Sequence, residues 1–215
     1  MGGQEIKVHH PVFARIFVRL SDRATARGAG DHRRELLAGL SGRVIDVGAG
    51  HGLNFAYYPT SVTEVMAVEP EPYLRSLAVE AARTAPVPVQ VTDGVAEQLP
   101  AEDASFDAGV ASLVLCSVHD QDRALTEFFR VIRPGGELRF YEHVRATTPG
   151  LARLQRTVDL LFWPRIGGGC HASRDTRAAM ERAGFEIKSC REFMFHPSPL
   201  AYPVSPHILG IAWRP

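Results

Sequence analysis

Three glycines spaced G-x-G-x-G, Gly48, Gly50 and Gly52, close the apolar run from Arg43 to Val47, and Glu69 closes the next apolar run, Val62 to Val68. With no Cβ, glycine allows a tight turn with positive φ and lets a ligand lie directly against the backbone. A carboxylate at the tip of the adjoining strand suits a bidentate hydrogen bond to a ribose diol. The amphipathic segment after the turn completes a nucleotide-binding corner of strand, turn and helix. The nicotinamide fingerprint G-x-G-x-x-G would need a third glycine at residue 53, where Leu53 stands, so a nicotinamide oxidoreductase is disfavoured. A second group of reactive side chains falls near later strand tips: His119, Glu142 and His143, joined by His171 and His207. Imidazoles and carboxylates are acid–base groups, though each histidine alone could equally be a structural hydrogen-bonding residue. Glu142 and His143 are neighbours on one strand and point to opposite faces, so if one touches substrate the other buttresses the fold.

Alternating strand and helix patterns must position these groups. Val12, Phe13, Ile16, Phe17 and Leu20 recur at helical spacing between His10 and Arg27, and a second helix is expected from an Asp31 N-cap to Leu40. Gly42 precedes the first strand. After Glu69, Pro70 and Pro72 open a helix from about Glu71 to Thr84, with Leu74, Leu77, Ala78 and Ala81 as its buried face. Val87 to Thr92 alternates as a third strand, and Pro88 argues for an edge position. The near-continuous apolar run from Ser105 to Ser117 marks a central strand buried on both faces. A helix from Gln121 to Ile132 stops at Arg133-Pro134-Gly135-Gly136, and Glu137 to Val144 is the fifth strand. Pro149 to Trp163 and Ser173 to Gly184 read as helices around the glycine break 167–169. A sixth strand is expected near Phe185 to Cys190, then a loop with Pro197, Pro199, Pro203 and Pro206, then a last strand from His207 to Arg214.

The stretches D-V-G-A-G-H-G, A-V-E-P, F-D-A-G-V and R-V-I-R-P-G-G, within residues 40–145, resemble class I S-adenosylmethionine-dependent methyltransferases. This resemblance implies an α/β Rossmann-like fold: a seven-stranded, mostly parallel sheet with an antiparallel last strand, helices on both faces and an N-terminal helical lid. It implies S-adenosylmethionine as cofactor and S-adenosylhomocysteine as product. It carries cofactor contacts onto Asp46, Gly48, Ala49, Gly50, Gly52, Asn54, Glu69, Pro70 and Tyr73, onto Asp93, Gly94, Val95 and Ala96 in the adenine-reading loop, and onto Ser112, Leu113 and Ser117 at the crevice. Candidate catalytic residues are His119, His143, Glu142 and His171. At a finer level, L-V-L-C-S-V, Y-E-H-V, G-G-C with R-D-T, and N-F-A-Y-Y-P resemble the small thiol S-methyltransferases of animals and bacterial relatives labelled type 11 methyltransferases. The resemblance places sulfur ahead of oxygen or nitrogen as acceptor, in a thiol or in the disulfide sulfur of a peptide natural product. Methylation of a quinone or lipid headgroup is the alternative, and a non-catalytic cofactor-binding protein a distant one.

At 215 residues the chain has room for one domain, divided as a helical cap 1–42, a cofactor-binding core 43–145 and an acceptor-shaping half 146–215. A formal net charge of zero and the lack of a basic run leave no electrostatic footprint for nucleic acid. All cations except Lys7 and Lys188 are arginine, which reads as the coding bias of a GC-rich bacterium. Met1 to His10 has no signal-peptide core and no apolar run reaches a membrane span; the anchor of the animal relatives is not found, and a cytoplasmic setting is expected. A monomer or homodimer acting on a small-molecule acceptor fits. Cys116, Cys170 and Cys190 form no C-x-x-C, and Cys116 is read as core packing. No D-D-N arrangement or dense carboxylates appear, so no metal is expected. Transfer from a sulfonium is an in-line displacement whose leaving thioether needs no proton; alignment in a water-poor pocket supplies most of the effect, and an obvious catalytic triad is not required.

Overall fold

The computed structural model describes residues 11–196 and 199–215. Seven strands form one sheet: β1 Gly42–Val47, β2 Val62–Val68, β3 Val89–Thr92, β4 Phe106–Ser112, β5 Ile132–His143, β6 Glu186–Met194 and β7 Pro206–Trp213. Their order is β3-β2-β1-β4-β5-β7-β6. The first five run parallel, and β7 inserts antiparallel between β5 and β6. The order reverses between β1 and β4, so the crevice at their C-terminal ends is the topological switch point where open α/β sheets bind ligands. Pro88 precedes β3 at the edge, as its missing N–H requires.

Two apolar layers hold the sheet. On one face α4 (Gln121–Val131) and α7 (Thr176–Arg182) bury Leu125, Phe128 and Met180 against β4 and β5. On the other, α2 (Gly30–Leu37) and α3 (Pro72–Ala82) bury Leu36, Leu37 and Ala78 against β1 and β2. In α4 the apolar stripe Ala124, Leu125, Phe128, Val131 follows the helical period, and Asp120 caps the first turn by accepting from the Arg123 N–H at 3.0 Å. Each large side chain so buried contributes roughly 1.5–3 kcal/mol, more than the helix's half-exposed polar face could supply.

Several local expectations are revised. No α-helix follows the glycine turn: a single 3₁₀ turn, Phe55–Tyr57, carries the chain to β2. Helix α1 (Pro11–Ala24) runs into α2 through a π-helical turn kinked at Arg27 and Gly28, so Asp31 lies inside the first turn of α2, paired with Arg34, and caps nothing. His10, the expected start of the first helix, and Pro197 in the late loop lie outside the described residues. Strand β4 ends at Ser112 and not Ser117, because Leu113 turns the chain with φ +61°. The expected turn at Arg133 to Gly136 is the irregular opening of β5, and Phe162 (φ −156°) breaks the expected 149–163 helix into α5 (Pro149–Leu161) and α6 (Trp163–Ile166). Helix α7 is shorter than expected, starting after its Asp175 cap, whereas β6 runs on to Met194. No helix among the described residues is long and apolar enough to cross a membrane.

Candidate active site

The glycine turn is closed onto the tip of β2. The N–H groups of Gly48 and Ala49 donate to the Val68 carbonyl at 2.7 and 3.1 Å. The Glu69 carboxylate accepts from Gly50 N–H at 2.8 Å and Glu71 N–H at 2.9 Å. Burial nevertheless pushes the Glu69 carboxyl up to about 7, because two amides offset only part of the lost hydration. Gly48 has φ +68°, and a Cβ there would lie 2.4 Å from Val114, so the turn needs glycine both for its conformation and for the approach of the loop after β4. Beneath it the fully buried Asp46 accepts from Asn54 Nδ2 at 3.1 Å and from the Tyr58 hydroxyl at 2.9 Å; burial raises its carboxyl to about 6. Asp46 and Asn54 therefore shape the turn from below.

Helix α1 lies over this corner. Its Phe17 meets the His51 ring edge-on at 6.0 Å, Asp22 pairs with His51 Nε2 at 3.0 Å, and the Arg15 guanidinium stands 5.1 Å over the Tyr73 ring. Asp93 pairs with Arg75 at 3.0 Å, and the same guanidinium donates to the Glu69 and Pro70 carbonyls. Val95 bridges to Gln98, Gly94 packs beside Val68, and Ala96 is buried in the core, so the 93–96 loop sits at the crevice end of β3. Arg33 of α2 went unnoticed in the sequence: it is 6% exposed, donates to Thr25 Oγ1 and the Ala29 carbonyl, and has no acidic partner within ion-pair distance among the described residues. Burial lowers its pKa, though a guanidinium stays charged.

The loop from Leu113 to His119 is held from every side. Glu142, 0% exposed, accepts the Val114 and Leu115 N–H groups at 2.9 Å on one oxygen and the Cys116 N–H at 3.1 Å on the other. Arg174 donates to the Leu115 and Val118 carbonyls, each at 2.7 Å, and Gln121 donates to the Leu115 carbonyl at 3.1 Å. The His171 N–H reaches the Cys116 carbonyl at 2.7 Å. Such over-determination sustains the left-handed Leu113. Glu142, one of the catalytic candidates, is thus placed bracing the loop through both its carboxylate oxygens. His171 acts on the loop through its backbone, and its part-buried ring has its pKa lowered by desolvation and by Arg174. His119 is exposed on the same loop, and Ser117 lies against Gly169, where a Cβ would come within 2.6 Å of the Ser117 carbonyl.

His143 turns to the other side of β5. Its Nδ1 lies 3.5 Å from Cys116 Sγ and 3.6 Å from Cys170 Sγ, and its ring meets the His207 ring edge-on at 4.6 Å. Within this cluster the Cys116 thiol donating to Cys170 holds Cys170 low and Cys116 high. Burial pulls His143 down, but the charges of Cys170 and Glu142 outweigh it and leave it raised. His207, expected among the acid–base candidates, is pushed down to about 2 by burial and by His143, and its Nδ1 pairs with the Ser205 carbonyl at 2.7 Å; it is a structural ring. Cys116 is buried as expected, yet not as mere packing, since it shares this polar cluster with Cys170.

A methyltransferase-domain family model matches residues 45–140. The chain is 36% identical to thiol S-methyltransferase TMT1B of Mus musculus over 182 residues, which spans 82% of this chain and 73% of that relative. It belongs to the class I S-adenosylmethionine-dependent methyltransferases. The human thiol S-methyltransferase TMT1A is 33% identical over 181 residues, 81% of this chain and 72% of its own. A solved S-adenosylmethionine-dependent methyltransferase from Thermotoga maritima shares the fold, with a TM-score of 0.69 at 24% identity over 95% of this chain and 98% of that one. The corner of this methyltransferase suits its cofactor: Ser112 Oγ at the end of β4 and Asn54 Oδ1 behind the turn are buried polar atoms without a partner, and polar atoms are rarely left so unless a ligand or water satisfies them.

Proposed function

We propose that this methyltransferase moves the methyl group to the sulfur of a small thiol. The supporting observation is where the likeness to the thiol S-methyltransferases lies: 182 matched residues cannot fit within the cofactor-binding stretch 45–140 and must extend into the acceptor-shaping parts. Leu113 to Val118, Tyr141 to Val144 and Gly168 to Thr176, which carry the finer resemblance, meet in one place through Glu142, Arg174, His143 and the two cysteines.

In this reading the sulfonium of the bound cofactor supplies a methyl carbon whose leaving thioether requires no proton. The chain's own residues bind and align. The glycines of the 48–52 turn leave backbone bare of Cβ atoms, Glu69 receives the ribose hydroxyls, and Tyr73 with Asp93 to Ala96 lines the adenine end. Ser112 Oγ and the buried Arg33 guanidinium, which has no ion-pair partner among the described residues, serve the amino-acid end, whose carboxylate a cation in low dielectric attracts strongly. Helix α1, packed on His51 and Tyr73, closes over the corner as a lid and excludes water. A thiol of pKa near 8.5 is a few per cent thiolate at about pH 7, enough for an aligned displacement with modest assistance. His119, exposed on the clamped loop, and the His171 ring beside it are placed to assist at the acceptor side.

The test is a labelled-methyl screen of small thiols, phenols, amines and cyclic disulfide peptides, with products identified by mass. Thioether formation from thiols is expected. Label appearing only on oxygen or nitrogen would overturn the sulfur assignment and leave the cofactor site standing.

A further inference from the structure

We infer that Cys116, His143 and Cys170 form a binding site for one zinc ion, with a fourth position left for the sulfur of the acceptor thiol. Their three ligand atoms all lie within 4.8 Å of one another, the one such cluster among the described residues. The distances are those of a coordination tetrahedron. With Zn–S near 2.3 Å and Zn–N near 2.05 Å at tetrahedral angles, a sulfur and a nitrogen bound to the same zinc stand roughly 3.5 Å apart. Here His143 Nδ1 lies 3.5 Å from Cys116 Sγ and 3.6 Å from Cys170 Sγ. Two soft thiolates and an imidazole select zinc over magnesium or calcium, and three protein ligands with one open position are the pattern of catalytic, not structural, zinc.

The surroundings hold the ligands in place. Cys116 is fixed through its own N–H by Glu142 and through its carbonyl by the His171 N–H, and Cys170 N–H bonds the Gly167 carbonyl. Trp163 packs against the small cluster that holds both cysteines, with its indole N–H buried beside Cys170, a donor that a metal-bound thiolate would use. The cluster stands at the C-terminal ends of β4 and β5, the side of the sheet from which ligands enter. An acceptor R–SH binding there would release its proton to solvent and hold its sulfur as thiolate. A sulfur lone pair then forms the bond to the methyl carbon, and the carbon–sulfur bond of the donor breaks with its electrons going to the sulfonium. The products are R–S–CH₃ and S-adenosylhomocysteine. The occupant of the fourth position rests on the thiol reading above; the metal itself does not.

The test loads the full-length reduced protein with zinc, and separately with cobalt as a spectroscopic stand-in, and measures bound metal by mass spectrometry of the elements. About one equivalent is expected, with cobalt showing tetrahedral ligand-field bands and thiolate charge-transfer absorption that shift when 2-mercaptoethanol is added. Cys116→Ser and Cys170→Ser should drop metal content to background while retaining S-adenosylhomocysteine affinity, which certifies folding; Cys190→Ser should keep it. No uptake by the parent protein, full uptake by either ligand variant, or a Cys116–Cys170 disulfide in protein purified under reducing conditions would refute the site. A cobalt spectrum indifferent to thiol would refute the acceptor position. Thiol methylation at full rate after chelation would sink the inference and leave the proposed function intact.

Discussion

Replacing Glu142 separates a structural carboxylate from a catalytic one. In Glu142→Gln the amide oxygen can keep the Val114 and Leu115 N–H groups, but the new NH₂ takes the place of the oxygen that accepts from Cys116 N–H and faces it donor to donor. The variant forfeits one charge-assisted hydrogen bond, worth about 1.5–3 kcal/mol, and strands a buried donor at a cost of about 1–3 kcal/mol. Part of that is returned, because burial of the ionised carboxyl, which raises its pKa, is no longer required. A net loss of about 2–3 kcal/mol follows, and about 4–5 kcal/mol for Glu142→Ala, where all three amides lose their acceptor. Urea unfolding followed by circular dichroism reads this directly, and hydrogen exchange at Val114 to Cys116 should accelerate in the same order. If Glu142→Gln unfolds with the parent while turnover collapses, the clamp is wrong and the carboxylate belongs to the chemistry.

Removing the Glu69 carboxylate should weaken S-adenosylhomocysteine binding by roughly 10- to 100-fold in calorimetry, the worth of a charge-assisted bond to a diol; unchanged affinity would end the ribose assignment. Both Asp46, raised to about 6, and Glu69, raised to about 7, hold protons in the folded chain that the unfolded chain releases at lower pH. Their contribution to stability is therefore greatest below pH 4 and declines by about 1.4 kcal/mol per pH unit per group as pH rises to their folded pKa values. Urea midpoints should fall between pH 5 and 7, with a flatter slope in Asp46→Asn; a rise across that window would contradict both shifts. His119→Ala and His171→Ala are expected to lower kcat several-fold with cofactor affinity intact, and full rate in both would remove histidine assistance at the acceptor.

The parts of this molecule legible in its sequence are those whose physics is local. A glycine turn between apolar runs, an acid at the next strand tip, an unbroken apolar strand and a proline at an edge each declare themselves within a dozen residues, and the sheet follows from them. The missing helix after the turn shows where local reading overreaches: only nine residues, Leu53 to Ser61, separate Gly52 from β2, and Pro59 interrupts them, so one 3₁₀ turn is all the chain can fit. The clamp at Glu142 is hidden in the sequence for a different reason. A carboxylate at a strand tip has the same sequence signature whether it faces a ligand or three amides, and the deciding residue, Leu113 with its left-handed turn, folds the loop back over the strand end in a way no propensity encodes. Cys116, His143 and Cys170 lie 27 residues apart in each step, far from any metal motif with short spacing, and only the crossing from β4 to β5 and the return of the 167–171 segment bring them together. A strand tip can be read from the chain alone, but the partner that faces it is chosen by topology, so the chemistry built between strand tips had to await the fold.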